Sequence, residues 1–165
     1  IYIIKNKKLI KMITINNSCQ LSPFIFIINV IIGIYCNYYL YSFLFFTLFI
    51  TSVIYHSNYT EFTYILDKTL CFYIVLYGGL LFYQKVKEHF TLKNNNNTLT
   101  TKILFNCKII LFFIVVISFL TVIYLYYYGY YNKTYAFNKD FTIGCWWHSF
   151  IHYISSFAHS LIMLI

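Results

Sequence analysis

Residues 24–56 form an unbroken apolar stretch of 33 positions without a single Lys, Arg, Asp or Glu. As one straight helix it would be about 50 Å long at about 1.5 Å per residue, well beyond a hydrocarbon core of about 30 Å. The polar break Cys36-Asn37-Tyr38-Tyr39 therefore predicts a tight hairpin, with spans near 23–36 and 39–56. The whole chain is of the same character: 61% of its 165 residues are hydrophobic and 10% are charged. A soluble domain carries roughly a quarter charged residues, so the composition predicts an integral membrane protein.

The remaining apolar runs predict further spans at 63–83, 103–128 and from about 143 onward. The expectation is an all-α, polytopic transmembrane helix bundle of about five spans, or four if 24–56 crosses once, within outer bounds of about four to seven. Strands or irregular backbone are disfavoured because lipid cannot satisfy free backbone groups. Residues 1–22 read as an N-terminal basic segment, with Lys5, Lys7, Lys8 and Lys11 ahead of the first apolar run. No small-residue cleavage site follows, so this pattern reads as a signal anchor or first span. Met12 is the first methionine, and a start there would leave residues 1–11 untranslated; the last apolar run reaches Ile165, which leaves room for a longer C-terminus. Residues 23–165 read as one transmembrane domain, with short polar loops at 57–62 and 132–142 and a solvated loop at 84–102 holding a low-complexity Asn run. The tyrosines from Tyr124 to Tyr131 and the pair Trp146-Trp147 suit the membrane interface.

The net charge of +8 comes from Lys between apolar runs, where Lys acts as a topology signal and a headgroup contact. No basic-aromatic stripe points to nucleic acid. If the chain starts at Met12, loop 84–102 is expected on the cytoplasmic face; with residues 1–11 present, the two faces carry similar numbers of Lys. Neither an endomembrane nor the plasma membrane is singled out. The five Cys are scattered without CxxC spacing, which argues against a zinc knuckle or a redox pair.

Ionisable groups within spans are costly and tend to be functional. His148 and His152 are four apart, about 40° from each other on one helix face, a spacing that offers two imidazoles to one metal. His56 closes the second span and Asp67 opens the third, across a short loop. The chain crosses twice between Asp67 and His148, so the last span re-enters from the face that holds His56 and Asp67. Three His with an open position is the pattern of catalytic zinc. Asp67 would support the ligands or act as general base. Ser52, one turn before His56, could donate to a developing oxyanion. Plainer readings stand beside these: Asp67 as a helix cap, His56 as an interfacial residue, and the His148/His152 spacing as coincidence. His159 lies roughly 10 Å further along the helix than His152 and reads as structural or lipid-facing. His89 falls in the solvated loop and receives no role.

In order, S-V-I-Y-H (Ser52 to His56), Asp67, and H-S-F-I-H (His148 to His152) resemble the signature of the CREST superfamily of membrane hydrolases. That group includes alkaline ceramidases, progestin/adipoQ receptors, GPI-remodelling proteins and the post-GPI-attachment and myomaker-like proteins. The eleven-residue step from His56 to Asp67 is also similar to the ceramidase spacing. The resemblance implies that His56, His148 and His152 bind Zn2+, with Ser52 and Asp67 in support. It covers roughly residues 40–80 and 143–160. Family members usually have seven spans; losing two consecutive helices between Asp67 and His148 would preserve sidedness. The acidic N-terminal motif of alkaline ceramidases is missing here, and H-S-x-x-H is closer to the myomaker-like and GPI-remodelling branches.

The functional expectation is a zinc-dependent hydrolase acting on an amide or ester bond of a membrane lipid. One alternative is a non-enzymatic, CREST-like receptor or membrane-remodelling scaffold with a structural metal. A second is a small channel or transporter subunit, or a degraded gene product.

Overall fold

The computed structural model describes residues 17–91 and 99–165. Lys5, Lys7, Lys8, Lys11, Met12 and the Asn run lie outside the described residues. Cys36-Asn37-Tyr38 breaks the long apolar stretch as expected. Helix α1 (Asn17–Leu21), a 3-10 turn (Ser22–Ile25) and α2 (Phe26–Tyr35) form the first crossing, which begins at Ser18. Asn37 then adopts a left-handed conformation with φ 63, which Asn tolerates better than most side chains. Around it, Tyr38 N–H donates to the Gly33 carbonyl (2.7 Å) and Asn37 N–H to that of Ile34 (3.1 Å). This is the Schellman pattern that satisfies the last carbonyls of a helix. The chain reverses into α3 (Tyr39–Ser57).

Loop 58–60 is shorter than the composition suggests, because Thr60 and Thr63 cap the next helix reciprocally. Thr63 N–H donates to Thr60 Oγ1 (3.1 Å), and Thr60 N–H donates to Thr63 Oγ1 (2.9 Å). Both hydroxyls thus satisfy donors that a bare helix start leaves unpaired. Helix α4 (Glu61–Thr91) runs through Gln84–Thr91, the first part of the segment expected to be a solvated loop. No Pro or Gly interrupts those residues, and Lys, Glu and Gln are good helix formers. Helix α5 (Leu99–Asn132) follows, then a 3-10 turn (Tyr135–Phe137) and α6 (Phe141–Leu164). Asp140 caps α6, accepting from Thr142 N–H (2.8 Å) and Ile143 N–H (3.3 Å).

No strand occurs among the described residues, and the protein is an all-α membrane helix bundle. Four helical segments are long and apolar enough to cross a membrane: Ser18–Tyr35, Tyr39–Ser57, Glu61–Thr91 and Phe105–Phe137. Helix α6 has the length, with 24 residues or about 36 Å, but it carries Ser and His along its buried side. It packs against α1, α2, α4 and α5. Its small residues allow this close approach: Ser149 donates to the Ser18 carbonyl (3.0 Å), and Ser156 to that of Ile25 (3.4 Å).

A polar cluster outside the expected site ties the middle of the bundle together. Asn29, fully buried, donates to the Ser156 carbonyl (2.8 Å) and to Ser160 Oγ (3.0 Å), and accepts from Ser156 Oγ. Tyr41 hydrogen-bonds His159, and the rings of Phe45 and Phe119 pack on the same imidazole. His159 is 1% exposed, so it is structural and does not face lipid. Gly78 makes room for this pair: a Cβ there would collide with the Tyr41 hydroxyl and lie 2.8 Å from the His159 ring. At Gly79 a Cβ would meet nothing within 4 Å, so only the first of the two glycines serves close packing.

Candidate metal centre

The last turn of α3 carries His56, and the first half of α6 carries His148 and His152. These elements bring the three imidazoles together. One nitrogen from each lies within 4.8 Å of the other two. The ring centroids are 4.6 Å apart for His148–His152, 4.9 Å for His56–His148 and 5.7 Å for His56–His152. A tetrahedral ion with bonds of about 2.1 Å would ask for nitrogens roughly 3.4 Å apart, so small ring movements close the set around an ion.

The donor set fits a metal for a second reason. Buried polar atoms normally have hydrogen-bond partners, yet Nε2 of His56 and Nε2 of His148 are buried without any. Ser52 Oγ and Asp67 Oδ1 are in the same condition. Four buried atoms without partners in this one region mean either a desolvation cost or a ligand, and His56, His148 and His152 could hold a metal ion.

Asp67 does not cap α4, since Thr60 does. It sits further along the helix, 2% exposed, outside the group of three His. The Ser52 hydroxyl lies next to its carboxyl without making a well-formed hydrogen bond. The other carboxylate oxygen, Oδ2, accepts from Lys68 Nζ at 3.3 Å. Sequence reasoning missed Lys68, because lysines were read as loop signals. It lies within the third span, over the rings of Tyr55 (5.5 Å) and Tyr64 (5.8 Å), with its side chain 30% exposed. The adjacent acid was the available signal, since a lysine inside a span needs a partner.

Ser22 was missed as well. It is fully buried in the first 3-10 turn, and its Oγ lies 2.9 Å from His152 Nδ1. Nothing in local periodicity links residues 130 positions apart. His89 lies in α4, stacked on Phe105 with centroids 4.1 Å apart.

A cavity of about 290 Å³ opens beside the histidines, lined by Cys19, Tyr55, His56, Phe141, Cys145 and His148 among others. Two of the three imidazoles are thus reachable from the end of the bundle where the 3-10 turn Tyr135–Phe137 lies. No family model matches this chain, and neither the curated proteins nor the solved structures contain a match.

Proposed function

We propose that this protein is a zinc-dependent hydrolase of CREST type, cleaving an amide or ester bond of a membrane lipid. The observation that carries the reading is the gathering of His56, His148 and His152, the first two with unpaired buried nitrogens and at the wall of an open cavity. His56, His148 and His152 would hold the ion. When bound, zinc supplies Lewis acidity toward a carbonyl and acidifies a coordinated water to a pKa of about 7. Asp67 Oδ1, buried and unpaired, is suited to accept a proton from the attacking water. Lys68 on Oδ2 orients that carboxylate. Ser52, whose hydroxyl lies beside the Asp67 carboxyl without a well-formed hydrogen bond, could turn to donate to the oxygen that gains charge as the carbonyl is attacked. The surrounding apolar helices suit a substrate that stays in the bilayer.

The test is metal analysis of purified protein, followed by hydrolysis of a lipid extract. Wild type should carry about one zinc per chain and release fatty acid. His148→Ala should lose the metal. Asp67→Asn should keep it and lose activity by about 100-fold or more. A metal-free wild type overturns the proposal.

A scaffold with a structural metal is the second reading, favoured by the Lys68–Asp67 pair, which already gives the carboxylate a partner. It expects Asp67→Asn and Ser52→Ala to leave cellular function intact, whereas His variants lose protein.

A further inference from the structure

The Ser22 hydroxyl has a single proton and two neighbours that could take it. It lies 3.3 Å from the Cys19 carbonyl, to which it donates, and 2.9 Å from His152 Nδ1. The carbonyl can only accept, whereas an imidazole nitrogen can accept or donate. The local sequence favours the carbonyl as acceptor. In a continuing helix the Cys19 carbonyl would receive the N–H of residue 23, but that residue is Pro23, which has none. With the Ser22 proton on the Cys19 carbonyl, both contacts are satisfied only if His152 donates Nδ1–H to Ser22 Oγ. His152 then carries its lone pair on Nε2.

We infer that Ser22 is a positioning residue: held by the proline turn, it accepts Nδ1–H of His152 and fixes that ring in the tautomer whose bare Nε2 is available to a metal. The inference rests on the metal-site reading above and extends it to a residue from a third part of the chain. Metal-bound imidazoles as a rule donate their second nitrogen to such a partner, which sets ring orientation and basicity. For His152 that partner is a buried hydroxyl on the first crossing. The first crossing supplies no ligand, yet it would govern the quality of one. Burial strengthens the device. Ser22 is fully buried, so water cannot easily replace a lost hydroxyl.

The experiment uses full-length protein in detergent, labelled with 15N-histidine, with His152→Gln to assign the resonance. In metal-free wild type, the His152 nitrogens should report Nδ1–H. In Ser22→Ala they should move toward the Nε2–H form. Zinc affinity, measured by competition with a chromophoric chelator, should fall about 10- to 100-fold in Ser22→Ala. Ser22→Thr, which keeps the hydroxyl, should restore both signals. A wild-type spectrum showing Nε2–H overturns the inference, and that spectrum decides even if Ser22→Ala fails to fold. Unchanged zinc affinity in a folded Ser22→Ala, with binding abolished in His148→Ala, overturns it while leaving the metal site standing. A wild type that binds no zinc removes the metal site and with it the role of Ser22, whatever the tautomer.

Discussion

The bundle has two polar centres of opposite character. In the middle, Asn29 hydrogen-bonds Ser156 and Ser160, Tyr41 hydrogen-bonds His159, and none of the five contributes an unpaired buried side-chain atom. Toward the end of α3, buried atoms of Ser52, His56, Asp67 and His148 have no partner. Both centres contain histidine, both draw on α3 and α6, and both are largely shielded. The difference teaches how to tell structural polarity from functional polarity inside a membrane. A closed network uses its hydrogen-bonding capacity to join helices. An open one leaves that capacity unused, and here His56, His148 and His152 could turn it on a metal ion.

The largest effect that can break this comparison is the response to metal. With zinc at about 100 times its Kd, wild type should gain about 2.7 kcal/mol of stability, seen as a rise in unfolding midpoint that excess chelator reverses. His159→Ala should be less stable overall yet keep that zinc-dependent gain. If it loses the gain, the two centres are one unit and the distinction fails. A smaller effect sharpens the other side. Gly78→Ala places a methyl against Tyr41 and His159, and overpacking of this kind costs about 1–3 kcal/mol. Thermal unfolding should show that loss while zinc affinity stays within about twofold of wild type, since additivity holds for sites without shared partners. The smallest effect is the control one residue on. Gly79→Ala meets open space inside α4 and should raise stability by about 0.5–1 kcal/mol, the helix-propensity difference between the two residues. A large loss at Gly79 would mean that the outer face of α4 is covered in the membrane.

Much of this was legible in the chain. The hairpin was readable because lipid thickness limits helix length and Asn37 is a good residue for a reversed backbone. The three His were readable because helical spacing and the parity of crossings constrain which end of the bundle each occupies. Other features depend on packing that no local pattern encodes. Ser22 meets His152, and Asn29 meets Ser156, only because the first crossing lies against α6. Lys68 drew no reading because the lysines were weighed only as topology signals between apolar runs, although its acid partner Asp67 is the preceding residue. Gln84–Thr91 looked like loop because it is polar, but polarity concerns solvent and not backbone shape. The reach of α4 to Thr91 follows from helix propensity.

Helix α6 follows all the other described helices and is the one long helix outside the four that are apolar enough to cross. During synthesis it is therefore the segment least able to enter lipid by its own hydrophobicity. Its Ser156, Ser160, His159 and His152 find hydrogen-bond partners in Asn29, Tyr41 and Ser22, which lowers the cost of bare polar groups in hydrocarbon. Burial of this helix is therefore coupled to its packing against the first crossing and α3. Variants that spoil the partners of α6 should be met first by membrane quality control.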